Sequence, residues 1–342
     1  MKLVQTLLSF AAIFTLGFAF SACEEEKSEK AAATNESAFK YGTVEIPVSD
    51  GTLCIAPFFV AKEKGFFAKE GVDVKFVSAN AETRKIGLNN GTYPITNSDF
   101  AFFQSVENGV NIKVVEGFHV GCIHLLVKKG SPIRSAQDLK GKKIAVNAIG
   151  ATPHQAATLW LEANGVSAIN DVQFLPYADG NLALEALERG QVEAVSLWDP
   201  LGSLAAVDGR ADVLMDLATD PVFAGRYCCF YYVSGILLEK EPEKIKALLR
   251  ALEQAHTWIS EHPEETVELM QAGKHSAIED KEFATALIKS YEYQSPEQKI
   301  KSGRNLKADL HYFADLLHKV GYLQLNADEF TEKIYREVDW NK

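Results

Sequence analysis

The chain has 342 residues, of which 47% are hydrophobic and 24% charged, and its formal net charge is −11. This acidic balance argues against nucleic acid as a partner. The length is sufficient for two compact lobes, each with its own hydrophobic core.

The N-terminal 22 residues have the pattern of an export signal. Lys2 is followed by an apolar run that ends in Phe20-Ser21-Ala22-Cys23. The run is short for a membrane-spanning helix, and a cysteine rather than a basic cluster follows it. The four residues resemble the bacterial lipobox, which implies cleavage before Cys23 and acylation of that cysteine. We therefore predict a signal peptide over 1–22 and lipid anchoring on the outer face of the cytoplasmic membrane, with simple secretion as the alternative.

The next segment is predicted to be a flexible tether over 23–40. Its central part, Glu24–Ser37, is charged, rich in small residues and without aromatic side chains. Such a composition buries too little apolar surface to offset the entropy lost on ordering.

From Tyr41 the chain alternates strand-like and helix-like segments, separated by Gly or Asn. This alternation favours an α/β fold with a mostly parallel sheet. The first half is predicted to contain strands at Thr43–Val48, Val72–Val77, Ile95–Asn97 and Ile112–Phe118, and helices at Phe58–Glu70, Glu82–Asn89 and Phe100–Asn108.

A second lobe repeats the pattern, and a helical tail follows. Two extended runs, Cys122–Val127 and Cys228–Leu237, are predicted to cross between the lobes, so that lobe 1 comprises 41–124 plus 232–342 and lobe 2 comprises 125–231. The remaining predicted elements are strands at Lys143–Asn147, Val172–Leu175 and Ala194–Leu197 and helices at Ser135–Leu139, Thr152–Asn164, Gly180–Glu188, Glu243–Glu261, Glu264–Ala272, Phe283–Ser290, Lys307–Val320 and Ala327–Val338.

Two sequence signatures resemble a known family. Ala56–Val74 and Ser131–Val146 are similar to the lobe openings of the nitrate/sulfonate/taurine/thiamine-pyrimidine group of ABC transporter periplasmic substrate-binding proteins. The resemblance implies a two-lobed type II periplasmic binding protein fold with two hinge crossovers and C-terminal helices. It also implies a monomeric receptor, without cofactor or catalysis, that captures a small organic ligand (sulfonate- or pyrimidine-like) and delivers it to an ABC transporter permease by hinge closure.

Loops at the strand ends are predicted to contact the ligand. Backbone N–H groups at a strand-to-helix turn can bind an anion, and a tryptophan beside a carboxylate can stack on a ring while the carboxylate accepts from an amine. Plain turns, helix caps and, for the histidine, a solvated surface position are the alternatives. The predicted ligand residues are Gly51, Thr52, Cys54, Ser98, Asp99, Phe100, Gly121, Cys122, Gly150, Ala151, Thr152, His154, Trp198, Asp199, Tyr227 and Cys228.

Aromatic residues near the expected cleft favour an organic ligand with a flat or apolar part over bare nitrate. These residues are Phe58, Phe100, Trp198, Tyr227 and Tyr231.

Four cysteines lie in segments expected to border the cleft or hinge, and three interpretations stay open for them. They can be buried thiols, disulfides in an oxidising compartment, or contacts to a ligand or soft metal. No metal is predicted outright, but Cys122 and His124 would share one face of a strand, as a metal pair requires. The candidate metal ligands are Cys54, Cys122, His124, Cys228 and Cys229.

Two alternative functions remain: a receptor that binds a metal or metal complex through the cysteine and histidine cluster, and an enzyme of the pyrimidine phosphate synthase type on the same fold. Tyr227-Cys228-Cys229-Phe230 faintly resembles the cysteine-rich stretch of the fungal-type pyrimidine phosphate synthases, which are enzymes. The sequence offers no nucleophile and base at a recognisable spacing, so catalysis is not predicted.

Overall fold

The computed structural model describes residues 39–49 and 51–340. The predicted signal peptide, the lipidation site Cys23 and most of the predicted tether lie outside the described residues. Within the part that is described, none of the helices combines the length and apolar character needed to cross a bilayer.

Ten strands form three sheets in the described chain. β1 pairs with β2, β10 lies between β3 and β4, and the third sheet has the order β7-β6-β8-β5-β9. The strands are β1 (Thr43–Val48), β2 (Asp73–Ser78), β3 (Ile95–Asp99), β4 (Ile112–His119), β5 (Ile123–Lys128), β6 (Lys142–Val146), β7 (Val172–Pro176), β8 (Ala194–Trp198), β9 (Ala211–Asp216) and β10 (Cys229–Ser234).

The sheets are mixed, so the expectation of a mostly parallel sheet was wrong. β1 and β2 are parallel, and so are β6 and its neighbours β7 and β8. β10 runs antiparallel to both β3 and β4, and β5 runs antiparallel to both β8 and β9. β5 and β10, the strands that begin after the crossovers, each lie between two neighbours that run in the opposite direction to them. The βα alternation of the sequence does not indicate strand direction.

Fourteen α-helices are described, mostly at or near the predicted positions. The sequence reasoning missed α7, α8, α12 and strand β9, and the start of α8 lies in the run Cys228–Leu237 that was predicted to be extended. The helices are α1 (Ala56–Glu63), α2 (Phe66–Lys69), α3 (Ala81–Asn90), α4 (Phe103–Glu107), α5 (Thr152–Ala163), α6 (Gly180–Glu188), α7 (Leu201–Val207), α8 (Gly235–Lys240), α9 (Pro242–Glu261), α10 (Pro263–Ala272), α11 (Lys281–Ser290), α12 (Pro296–Ser302), α13 (Leu306–Lys319) and α14 (Ala327–Ile334).

Local chemistry explains where several helices begin and end. Asn80 caps α3 by accepting from the Thr83 N–H, and Gly91 ends it in the left-handed conformation. The single helix predicted over Phe58–Glu70 is split into α1 and α2, because Gly65 adopts a φ of +74° between them. The break turns the chain early enough for β2 to pair with β1.

The chain crosses between sheets at 120–122 and returns at 217–228. β4 belongs to the three-stranded sheet and β5 to the five-stranded sheet, while β9 and β10 mark the return. The first residues of β10 therefore pair with β3 and β4 rather than with lobe 2, as the predicted boundary at 231 would require. His124 likewise pairs with Leu197 and Asp216 in the five-stranded sheet. The predicted lobe boundaries cut through strands because an apolar run does not show which sheet it joins.

Two apolar clusters hold these layers together. The larger one joins β1 to β4, β10, part of the five-stranded sheet and the C-terminal helices, and the smaller one packs α6 and α7 on the five-stranded sheet. α9 contributes one apolar face, with Ile245, Leu252 and Ile259 fully buried. The carboxyl ends of β1, β3 and β8 are thereby fixed around one gap.

Candidate functional site

A cavity of about 270 Å³ lies where elements of the first lobe meet the end of β8. Its walls come from the loop after β1, from α3, from the end of β3, from both crossovers and from the residues that end and follow β8. The lining residues are Ser49, Thr52, Cys54, Ile55, Arg84, Asn97, Ser98, Asp99, Cys122, Trp198, Asp199 and Cys229.

A larger groove of about 580 Å³ lies elsewhere, between α9, α10, α11 and α12. Its walls come from the C-terminal helices and the loop after α11, and it contains none of the predicted ligand residues. We assign the functional site to the smaller cavity because strands of two different sheets end there.

Arg84 is the one cationic side chain among the described cavity residues. It projects from α3, and its Nη1 donates to the Asn97 backbone oxygen at 3.0 Å. Its Nε is buried and has no hydrogen-bond partner within the described chain. Burial lowers the pKa of the guanidinium from its ordinary value, and the Asp99 carboxylate opposes that shift. Arg84 therefore presents an unused donor.

Asn97 supplies the matching acceptor. Its side-chain oxygen is buried, and among the described residues nothing donates to it. A buried polar group without a partner costs about 1–3 kcal/mol, a penalty that a ligand with complementary groups would remove. The residues that line the cavity thus include one buried donor and one buried acceptor without a partner in the described chain.

Asp99 connects the two sides of the cavity. Its carboxylate accepts from the Ala101 N–H at 3.1 Å. The side chains of Thr152 and Trp198, which belong to the five-stranded side, lie close enough to lower its pKa. Burial raises its pKa, and these neighbours and Arg84 counter the rise. The contacts hold the two sides together.

Asp199 is fully engaged within the second lobe. One of its oxygens accepts from the Ser203 hydroxyl at 2.5 Å and lies 3.3 Å from the His124 Nδ1. Burial alone would raise its pKa, but His124 and Ser203 hold the pKa below its ordinary value. Burial would lower the pKa of His124, yet Asp199 and Asp216 raise it above its ordinary value. Asp199 thus forms a charged part of the cavity wall, and its neighbours Ser203 and His124 hold its carboxylate in place.

The structure brings seven of the sixteen predicted ligand residues to the cavity. A role in binding for each of them stays a prediction. They are Thr52, Cys54, Ser98, Asp99, Cys122, Trp198 and Asp199.

Nine predicted residues do not line it. Phe100 is buried against Phe313, with ring centroids 4.8 Å apart, and Tyr227 packs on Gly117 below Arg304. Cys228 lies behind the wall and donates to the Gly121 oxygen. The others, by place, are Gly51 and Gly121 in turns with positive φ, Thr152 bonded to Asp99, and Gly150, Ala151 and His154 at the start of α5.

His154 is buried rather than solvated, contrary to its sequence-based alternative. Its Nδ1 accepts from the Gly150 N–H at 3.0 Å and from the Tyr322 hydroxyl at 2.8 Å. The group therefore fixes the loop after β6 against the C-terminal part of the chain, and burial lowers its pKa.

The aromatic basis for a flat ligand is also reduced. Of the five aromatic residues expected near the cleft, Trp198 alone is among the described cavity residues. Phe58 and Tyr231 pack edge to face in the core, 5.7 Å apart. The other aromatic side chains pack into the hydrophobic core, where their large apolar surface is removed from water.

Sequence reasoning missed Arg84, Ser49 and Ile55 as cavity residues. Arg84 lies in the polar helix α3, whose sequence is AETRKIGLNN, and nothing in its local pattern distinguishes it from the adjacent Lys85. Only the packing of α3 against β4, β10 and α8 brings Arg84, and not Lys85, to the cavity.

The comparisons with known proteins agree with this geometry. Residues 53–266 match the family model described as NMT1/THI5 like, and this is more than half of the chain. The protein therefore belongs to the NMT1/THI5-like family.

Curated relatives of the chain are binding proteins. The chain is 28% identical over 230 residues to a putative aliphatic sulfonates-binding protein of Bacillus subtilis (strain 168), covering 63% of this chain and 65% of that one. It is 24% identical over 284 residues to the nitrate/nitrite binding protein NrtA of Nostoc sp., covering 73% and 63%. The match thus spans less than two thirds of either relative's length.

Among solved structures, the fold is similar to that of the alkanesulfonate-binding protein SsuA from Xanthomonas axonopodis pv. citri bound to MOPS. The TM-score is 0.65 at 18% identity, covering 86% of this chain and 98% of that one. The likeness establishes the fold, and the predicted two-lobed periplasmic binding protein architecture is confirmed.

Proposed function

We propose that this protein is the extracytoplasmic receptor of an ABC importer, which captures a small organic ligand in the cavity and delivers it to the permease. One observation carries the proposal: the cavity lies between two lobes and contains a buried, unused donor on Arg84 and a buried, unused acceptor on Asn97. The family and the names of the relatives support a ligand of the sulfonate class.

The ligand chemistry follows from those two atoms. Arg84 Nε calls for a sulfonate, carboxylate or ring-nitrogen acceptor, and Asn97 Oδ1 calls for an N–H or O–H donor. Aminoalkanesulfonates and aminopyrimidines carry both groups. Bare nitrate carries only acceptors and would leave the Asn97 oxygen without a partner. A cavity of about 270 Å³ suits molecules of this small size.

Closure of the cleft is the binding mechanism in this proposal. The side chains of Thr152 and Trp198 lie across the gap close enough to lower the pKa of Asp99, so in this proposal the conformation described here is the closed one. A ligand that fills the cavity favours this conformation over one in which Asp99 is hydrated.

Binding without catalysis is the chemistry that the cavity favours. The natural nucleophile in it is Cys54, but burial raises the pKa of that thiol to about 11. The described hydrogen-bond partner of its sulfur is the Thr52 hydroxyl, at 3.7 Å, and no basic side chain is hydrogen-bonded to the thiol in the described part of the chain. A thiol that stays protonated is a poor nucleophile.

The remaining parts of the proposal concern the compartment and partners. A lipid anchor at Cys23 would hold the receptor beside its permease, while a tether over 23–40 would let it move. We propose that it acts as a monomer.

The test is a ligand panel with matched pairs. We expect 2-aminoethanesulfonate or 4-amino-2-methylpyrimidine to raise the Tm of the purified protein, by an amount equivalent to about 2.7 kcal/mol at a ligand concentration of 100 Kd. Ethanesulfonate and 2-methylpyrimidine lack the amino donor, and each should bind about 10-fold or more weakly than its partner by calorimetry.

Two results would count against the proposal. The first is a panel in which no compound shifts the Tm. The second is conversion of any bound compound to a new product, detected by mass spectrometry.

A further inference from the structure

Four buried side chains meet where the two crossovers pass each other. His119 ends β4, Cys122 precedes β5, and Cys228 and Cys229 lie at the start of β10. Their four candidate ligand atoms all lie within 4.8 Å of one another. We call these four residues the crossover cluster.

The sulfur separations match a tetrahedral metal site. The Cys122 and Cys229 sulfurs are 3.9 Å apart, and the Cys228 and Cys229 sulfurs are 3.8 Å apart. Ligands about 2.3 Å from a central zinc ion, at tetrahedral angles, are separated by about 3.8 Å. The three thiols need little movement to surround an ion.

His119 has the orientation that a metal ligand needs. Its Nδ1 lies 3.0 Å from the Val120 oxygen, so that this nitrogen carries the proton and Nε2 keeps its lone pair. The ring is fully buried, and within the described residues Nε2 has no hydrogen-bond partner. Metal-binding histidines commonly donate their second ring N–H to a carbonyl in this way.

The backbone at Cys122 supports the same conclusion. Cys122 adopts a φ of +73°, which costs a non-glycine residue on the order of 1 kcal/mol or more. This turn breaks the strand alternation that would have placed Cys122 beside His124. It directs the thiol to the crossover cluster, while the His124 ring contacts Asp199 instead.

We propose that the crossover cluster binds one zinc-type cation through His119, Cys122, Cys228 and Cys229. Four protein ligands, each no more than 6% exposed, make a closed site of the structural kind. The ion is therefore resident rather than cargo, and it ties the outgoing crossover to the returning one at the cavity wall, to which Cys122 and Cys229 also contribute. The thiol protons leave to solvent on binding, and Cys228 gives up its bond to the Gly121 oxygen.

This assignment corrects the sequence-based set of metal candidates. Cys122, Cys228 and Cys229 stay in it, whereas His119 replaces His124. Cys54 lines the cavity outside the cluster. The proposal does not depend on the identity of the ligand, because metal content and ligand binding are measured separately.

The experiment is metal titration of the purified, reduced protein. We expect Zn²⁺ to remain bound after desalting at about one ion per chain, and Co²⁺ to give the thiolate charge-transfer and tetrahedral d–d absorption of a thiolate-rich site. Zn²⁺ should raise the Tm, and a chelator should reverse the rise.

Variants locate the ion. Cys229→Ser and His119→Gln should each weaken Zn²⁺ binding by more than about 100-fold, since loss of a direct ligand exceeds the 10- to 100-fold cost of losing its outer partner. Cys54→Ser is the matched control and should keep the full stoichiometry. The wild-type spectrum and stoichiometry remain informative even where a variant does not fold.

Three outcomes would overturn the proposal. Reduced wild-type protein that retains no Zn²⁺ is one. A cobalt spectrum without thiolate bands is another. The third is a Cys122–Cys229 disulfide that forms quantitatively in native protein, detected by thiol counting and intact mass.

Discussion

The two walls of the cavity differ in how completely their polar groups are used. The first-lobe wall holds Arg84 and Asn97, each with a buried atom that lacks a partner in the described chain. The second-lobe wall holds Asp199, whose carboxylate is held by Ser203 and His124. In the proposed function, the unused groups select the ligand, and the Asp199 wall is the fixed surface that closes over it.

Asp99 contacts both walls of the cavity. It belongs to the first lobe by sequence, but its side-chain partners Thr152 and Trp198 come from the second. We propose that the ligand first pairs with Arg84 and Asn97 and that Asp99 then completes the closed form. The predictions below test this division of labour, from the largest effect to the smallest.

Replacing Arg84 should have the largest effect on ligand binding. Arg84→Met removes the buried donor and should weaken the Kd by about 10- to 100-fold, equivalent to about 1.5–3 kcal/mol, by calorimetry. The ligand-free protein should lose only about 1 kcal/mol of stability, from the bond between Nη1 and the Asn97 backbone oxygen, because the Nε of Arg84 has no partner there among the described residues.

Lys85→Met is the matched control, since Lys85 follows on the same helix and pairs with Glu82 and Ser105. Its Kd should change by less than about 3-fold. Equal losses of ligand affinity in the two variants would mean that the overall positive charge of α3, and not the cavity, attracts the ligand.

Asp99→Asn should have an intermediate effect, expressed mainly in the dissociation rate. An amide offers one acceptor oxygen where the carboxylate offers two, so the bonds to Thr152 and Trp198 weaken. We expect ligand to dissociate about 5- to 10-fold faster in stopped-flow measurements, with a smaller change in association.

Asp212→Asn, in strand β9 beside Lys129 and Gly130, provides the control and should leave dissociation unchanged. A slower association with an unaltered dissociation rate in Asp99→Asn would contradict the assigned role in closure.

Asp309 gives the smallest effect and separates burial from ligand contact. It is a buried first-lobe carboxylate outside the cavity that accepts from the Tyr227 N–H at 3.0 Å. Burial raises its pKa to about 6 from 3.8, so the folded state holds this proton more tightly than the unfolded state. Its contribution to stability is therefore present below about pH 4 and is lost as the pH rises through about 6.

Asp309→Asn keeps the acceptor for Tyr227 and removes the charge. We expect the free energy of unfolding at pH 7 to rise on the order of 1 kcal/mol in urea titrations, with a flatter profile between about pH 4 and 6. Asp315→Asn, on the same helix beside Lys319, should preserve the wild-type profile. An altered ligand Kd in Asp309→Asn would contradict the prediction that this core carboxylate has no effect on ligand binding in the cavity.

Much of the fold follows from local sequence patterns. Thr43–Val48 and Gly180–Glu188 occur with the predicted bounds, because alternation and helical spacing act within a few residues. The helix predicted over Phe58–Glu70 failed at Gly65, where a residue with a left-handed conformation divides it. The prediction of strand direction was also wrong, since direction depends on which sheet a crossover strand joins.

Sequence by itself determined the α/β class, the family signatures and the strand-end loops that supply Thr52, Asp99 and Trp198. Tertiary structure alone decided that Arg84 rather than Lys85 faces the cavity and that His119 rather than His124 meets the cysteines. The physical reason is distance along the chain: pairing of atoms from separate elements depends on how whole sheets and helices pack, and no local period encodes that. Turns such as the one at Cys122 then redirect single side chains.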